Sequence, residues 1–260
     1  MDSVTGNHDG VTHSDHSEIS RFKKKESMIM LLNKEQLEEL RGFDTPTVWN
    51  ALESFKIRPN MEGFTYPGML PRTPTAVSEK PMVGYAATAK VSGIKVPTPE
   101  EKEMMFAFFE DVRAMSGPVI AVVRDIDSRP IGSFWGEVQA TTFKALGAVG
   151  TLTHGGVRDL NEVGPLGFCF FSTDIMVARS ESHLVDHNCP VEICGLLVSP
   201  GDLIHADCHG AVVIPADAAP MLAEACRRIS HAEHFVLEPC RKAIEDGVKP
   251  TVAQLRQWRG

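Results

Sequence analysis

No apolar run in this chain approaches the roughly 20 residues that cross a bilayer. The longest stretches, such as PVIAVV at 118–123 and AVVIP at 211–215, are far shorter, so no membrane partner is expected. Positive charge is also short: Lys and Arg total 26 against 34 acidic residues, a formal net charge of −8. Broad capture of nucleic acid needs a basic face to displace counterions, and nucleic acid is not an expected partner. None of the six cysteines, Cys169, Cys189, Cys194, Cys208, Cys226 and Cys240, stands in a C-x-x-C pair. They fall mostly inside apolar stretches and read as small core residues in a reducing, cytoplasmic setting. There is no internal repeat. The opening MDSVTGNHDGVTHSDHSEIS lacks the apolar core of a signal peptide, and residues 1–27 read as a flexible leader, with RFKKKE at 21–26 as a solvated charge run.

What is present is a chain of 260 residues that is 43% hydrophobic, enough to bury a large core. Residues 28–260 are expected to form a single α/β domain with a C-terminal helical extension. Asn33 with Gln36 has the spacing of a capping box, and Thr45 before Pro46 caps and starts a second helix. Residues 57–81, rich in Pro and Gly, read as an irregular connection. Strands are expected near 82–92, 118–127, 149–155 and 169–172, alternating with helices over 101–115, 137–147 and around 159–167. That alternation implies a parallel sheet. Short strands crowded into 191–198, 202–207 and 211–215 then imply a mixed α/β sandwich. The amphipathic stretch from 216 ends at Gly247, with a break expected at Pro239.

Two glycine turns draw attention. Gly136 precedes a helix whose first turn, Glu137, Val138 and Gln139, offers free backbone N–H groups to a carboxylate or phosphate. The second turn, HGGVRD at 154–159, ends a buried strand and aims Arg158 and Asp159 at the same sheet end, where ligands of open α/β sheets bind. Arg158 suits a planar carboxylate, and Asp159 is a hard oxygen ligand for a divalent cation that keeps several waters. Glu162, one helical turn on, is placed to position those waters or hold Arg158. Each feature alone has a plainer reading: Glu137 favours the helix dipole, and Asp159 caps a helix.

The combination is more specific. Gly136, Arg158–Asp159–x–x–Glu162, the following PLGF and the later PGDLIHADCHGAVVIP resemble the RraA-like family. That family includes the regulator of ribonuclease activity A and the class II aldolases for 4-hydroxy-4-methyl-2-oxoglutarate and 4-carboxy-4-hydroxy-2-oxoadipate. The resemblance covers roughly residues 40–235. It implies an α/β/β/α sandwich, swivelling-domain-like, with flanking helices at both termini, assembled as a homotrimer or hexamer with sites between protomers. It further implies that the backbone of Gly136, Glu137, Val138 and Gln139, together with Arg158, binds a small 2-oxo acid, and that Asp159 carries Mg²⁺ or Mn²⁺. Glu137 would orient a catalytic water, and Glu233 is the positional match for an acid supplied by a neighbouring subunit. The implied activity is a metal-dependent carbon–carbon lyase that releases pyruvate through a metal-stabilised enolate, by retro-aldol cleavage, oxaloacetate decarboxylation or both. The alternative is a non-catalytic regulator that binds and inhibits a ribonuclease. No glycine-rich turn of a methyl-donor enzyme is present.

Other residues have bland readings. His154 is either a substrate neighbour or a satisfied structural histidine. Trp135 is either a wall of the site or packing beneath the Gly136 helix. Strand alternation sends His205 and Asp207 to one face and Cys208 to the other, so no zinc site is expected there and Asp207 is expected to shape a turn.

Overall fold

Asn33 opens helix α1 (Lys34–Leu40) with the reciprocal bonds its spacing implies: its Oδ1 accepts from Gln36 N–H at 2.8 Å and Gln36 Oε1 accepts from Asn33 N–H at 3.0 Å. Helix α2 (Thr45–Phe55) is capped one residue earlier than expected, by Asp44, whose carboxylate accepts from Thr47 N–H at 2.8 Å. Thr45 is engaged elsewhere, its N–H on Asp207 and its hydroxyl 3.0 Å from His205 Nδ1. The computed structural model describes residues 31–73 and 80–260, and those from Leu32 onward form one compact unit. The expected leader at 1–27 and residues 74–79 of the 57–81 connection lie outside the described residues.

The alternating middle of the chain builds β2 (Met82–Ser92), α3 (Pro99–Ala114), β3 (Val119–Asp125), α4 (Glu137–Ala145), β5 (Ala148–Val157), the short α5 (Leu160–Val163) and β6 (Cys169–Ile175). The strands pair in parallel in the order β2, β3, β5, β6. Short β1 (Leu70–Pro71) runs antiparallel along β6, so the expected irregular connection is in part sheet edge. Two strands were not legible in the sequence: β4 (Ser133–Trp135), parallel to β5, and β7 (His183–His187), antiparallel to β2. The crowded strands become a hairpin, β8 (Val191–Ile193) and β9 (Leu196–Val198), and then β10 (Leu203–Asp207) with β11 (Gly210–Ile214), which joins the main sheet through β2.

Side-chain alternation sorts this strongly curved sheet into an inside and an outside. Ile120, Val122, Leu152, Phe171 and Ile204 point inward, where the β8–β9 hairpin packs Val191, Ile193, Leu196 and Val198 against them. The outer face carries two further cores. One, with Phe108, Trp135, Phe143, Phe168 and Phe170, lies under α3 and α4. The other, with Leu40, Val48, Val212 and Leu222, lies under α1, α2 and the long helix α6 (Ala219–Glu245). The expected α/β/β/α layering with helices at both ends is therefore the observed one.

The break expected at Pro239 does not occur. Helix α6 runs through it to Glu245 and ends where Gly247 takes a left-handed φ of 63°. Its buried residues stop at Cys226, so the second half is a largely exposed rod in which one missing backbone donor is tolerated. A final helix, α7 (Val252–Trp258), follows. Among the described residues no helix is long and apolar enough to cross a membrane.

Candidate functional site

Both glycine turns arrive at the C-terminal ends of the parallel strands. Strand β4 pairs with β5 through Ser133–Gly156 and Trp135–Val157, and Arg158 N–H donates to Trp135 O at 3.1 Å. This pairing sets the start of α4 beside the end of β5. Asp159 Oδ2 accepts the Glu137 N–H at 3.0 Å, and Arg158 Nε stands 3.6 Å from the same oxygen. Guanidinium, carboxylate and helix N-terminus thus converge within one protomer.

Gly136 permits that approach. Its backbone is extended, at φ −157° and ψ −168°, and strains no residue type. A Cβ there would lie 2.5 Å from Asp159 Oδ2 and 3.1 Å from Arg158 Nε. With glycine there, both side chains reach the helix start; a Cβ would oblige the Asp159 carboxylate and the Arg158 side chain to move aside. Helix α4 has no side-chain cap, and the N–H groups of Val138 and Gln139 have no acceptor among the described residues. Asp159 sits in left-handed backbone, φ 58° and ψ 42°, which is costly for a side chain with a Cβ and recurs at functional sites. It stands at the N-cap position of α5 without a side-chain bond to that helix, and its carboxylate instead caps the first amide of α4. Its second oxygen accepts nothing among the described residues and the side chain is 36% exposed, leaving a hard ligand atom free for a cation that keeps its waters.

The other expected residues fall less closely. Glu162 is exposed and forms no ion pair with Arg158. Glu137 and Val138 are exposed at the helix start, Val138 to 78%. Glu233 is exposed in the second half of α6 and makes no hydrogen bond or ion pair among the described residues, so it adds nothing to this group within one chain. Trp135 is fully buried, its ring 4.8 Å from that of Phe143, and it packs beneath α4 instead of facing a ligand. His154 is half-buried without a hydrogen bond.

Asp125, at the end of β3, escaped the sequence reading. It is 4% exposed, and burial pushes its carboxyl up to about 6, against a partly offsetting bond from Asp127 N–H at 3.0 Å. Its Oδ2 would lie 3.4 Å from a Cβ on Gly155, which places it one strand over from the Arg158 turn. The available signal was an acid two residues beyond the apolar run PVIAVV, on the same strand face as Val123.

The β10–β11 turn departs from expectation. Asp207 does shape it, accepting His209 N–H at 2.8 Å. Alternation ends with the strand at Asp207, however, so Cys208 is not held on the opposite face. Its Sγ lies 3.5 Å from His209 Nδ1, and the thiol is exposed, unlike buried Cys169 and Cys226.

Comparison with known proteins follows this geometry. The sequence model of the RraA-like family, described as Aldolase/RraA, matches residues 45–213, a stretch that contains both turns. An uncharacterized protein of Methanocaldococcus jannaschii is 32% identical over 105 residues, 40% of this chain and 50% of its own. A Halalkalibacterium halodurans protein, named provisionally as a 4-hydroxy-4-methyl-2-oxoglutarate aldolase, is 34% identical over 73 residues, 28% of this chain and 35% of its own. The chain spans half or less of the length of these curated relatives. Among solved structures, Streptomyces coelicolor RraAS2, described as an unusual member of the RNase ES inhibitor RraA protein family, aligns with a TM-score of 0.61 at 24% identity. That alignment covers 78% of this chain and 96% of RraAS2. An uncharacterized Pseudomonas syringae protein aligns with a TM-score of 0.63 at 23% identity, covering 88% and 98%. Those structures share the fold, and the sequence match identifies the lineage: the chain belongs to the RraA-like family, Aldolase/RraA.

Proposed function

We propose that this protein is a divalent-metal-dependent carbon–carbon lyase that cleaves a small 2-oxo acid, one bearing a second carboxylate, to release pyruvate. The observation that carries the reading is the meeting of Arg158, Asp159 and the first-turn amides of α4 beside Gly136, where a Cβ would press on both side chains. In this reading Arg158 takes the substrate carboxylate, and the free N–H groups of Val138 and Gln139 hold its second oxygen. Mg²⁺ or Mn²⁺ on Asp159 would supply a Lewis acid for the keto oxygen. As the C3–C4 bond breaks, negative charge develops on that oxygen, which the metal would stabilise, while Arg158 and the α4 amides hold the adjacent carboxylate in place. Glu137, exposed at the same helix start, is the candidate to carry the proton given up by the C4 hydroxyl in retro-aldol cleavage to C3 of the enolate through water.

The group opens to solvent on an isolated chain, so in this reading a neighbouring copy closes it and brings Glu233 or another acid. Exposed Ile126, Ile131, Val138, Ile175 and Val177 all stand at this sheet end and support self-association as a trimer or hexamer. A second reading, a non-catalytic protein that inhibits a ribonuclease, draws on one feature: Asp159 already occupies the Glu137 amide. The deciding experiment is a coupled pyruvate assay with oxaloacetate and 4-hydroxy-2-oxo acids, with and without Mg²⁺. Metal-dependent pyruvate release that disappears in Asp159→Asn and Arg158→Ala is the expected result. Release from none of these acids, together with tight binding to a ribonuclease, would establish the second reading.

A further inference from the structure

The β10–β11 turn holds a cluster that the lyase reading does not use. One donor atom from each of Asp207, Cys208 and His209 lies within 4.8 Å of the others. His209 Nδ1 is 3.0 Å from Asp207 Oδ1 and 3.5 Å from Cys208 Sγ. Around a tetrahedral Zn²⁺, with bonds near 2.3 Å to sulfur and near 2.0 Å to nitrogen or oxygen, neighbouring ligand atoms sit about 3.3–3.6 Å apart. The two His209 spacings approximate that value, and the third, between Asp207 and Cys208, lies within 4.8 Å.

The carboxylate is also held in place. Asp207 is 6% exposed; its Oδ2 accepts Thr45 N–H at 2.8 Å, and Oδ1 accepts His209 N–H at 2.8 Å. Thr45 is itself fixed by buried His205, whose Nε2 is 3.2 Å from Leu40 O. Such support behind a ligand orients it and raises affinity. Cys208 and His209, by contrast, are exposed and within reach of an ion from solvent. Beside His209 opens a cavity of about 220 Å³ lined by Thr45, Trp49, Phe64 and Thr65, with room for a fourth ligand.

We propose that Asp207, Cys208 and His209 form a three-ligand site for a borderline or soft transition-metal ion, Zn²⁺ by ligand type, with its fourth position facing the Trp49–Phe64 cavity. On binding, Cys208 releases its thiol proton to solvent as the sulfur–metal bond forms, and no electron moves. The mixed sulfur, nitrogen and oxygen set separates this site from Asp159, whose lone carboxylate suits a hard ion.

The test uses the full, metal-stripped chain and Co²⁺ as a spectroscopic substitute for Zn²⁺. One equivalent should give a near-ultraviolet thiolate-to-cobalt charge-transfer band and intense visible bands of tetrahedral cobalt, both removed by one equivalent of Zn²⁺. Cys208→Ser should abolish the charge-transfer band, and His209→Ala should weaken affinity at least tenfold, with far-ultraviolet circular dichroism unchanged in both. No such band in the wild type would overturn the proposal. So would an equal band in Cys208→Ser, which would assign the thiolate to one of the other five cysteines.

Discussion

Gly136→Ala separates the demands of the site from those of the fold. The backbone there is extended, so alanine brings no torsional strain and the effect is steric alone. The new Cβ would start 2.5 Å from Asp159 Oδ2, whereas real contacts essentially begin at 3.0 Å, so the carboxylate must retreat by at least about 0.5 Å. Its 3.0 Å bond to Glu137 N–H then stretches to roughly 3.5 Å, beyond a useful hydrogen bond. Arg158, with Nε and Cγ at 3.1 and 3.2 Å from the same Cβ, crowds the same space. Because both side chains are more than a third exposed, the stability loss should be modest, about 1 kcal/mol in urea unfolding. Displacing two groups that must meet one small acid should cost about 100-fold in kcat/KM for metal-dependent pyruvate release, about 2.7 kcal/mol of transition-state stabilisation. Activity within threefold of wild type would refute the role assigned to this contact. A stability loss above about 3 kcal/mol would show instead that the cluster is structural.

Arg158→Lys keeps the charge but loses the planar fork, so KM for the 2-oxo acid should rise with kcat falling about 100-fold, while urea stability stays within about 0.5 kcal/mol. Burial raises the folded-state pKa of Asp125 from 3.8 to about 6, so the stability linked to its proton is complete below about pH 4 and is lost as pH rises through 6. Asp125→Asn should flatten that pH dependence and stabilise the protein at pH 7.5 by up to about 3 kcal/mol, read from unfolding across pH 4–8; a variant that keeps the wild-type slope would contradict the assignment. Gly150→Ala places a Cβ 2.5 Å from both Cys169 O and Met82 Sδ inside the sheet, and should cost about 1–3 kcal/mol in thermal or urea unfolding. Val138→Asp and Val177→Asp, at exposed apolar positions beside the site, should lower the sedimentation mass towards that of one chain if this sheet end joins the subunits.

The sequence was legible where a local rule carries the structure. The Asn33–Gln36 spacing, the strand–helix alternation from Met82 to Ile175 and the glycine stop at Gly247 depend only on neighbours in the chain. The coincidence of Gly136 with Arg158 and Asp159 was readable as a pattern through its resemblance to the RraA-like family, each feature alone having a plainer reading. It was misleading or silent where distant contacts outbid local preference. Asp44 rather than Thr45 caps α2, since β10 claims both polar groups of Thr45 from 160 or more residues away. Strand β4 is too short and β7 too polar to announce itself, and both exist because longer strands offer them an edge. The sequence by itself thus determined a parallel sheet within a mixed α/β sandwich, through periodicity, and it carried the family pattern from which the layering and the two turns were expected. Only the tertiary structure decided that Asp159 rests on the Glu137 amide, that Asp125 is buried and that Cys208 meets His209. Each of those depends on a distance or a desolvation that chain spacing does not encode.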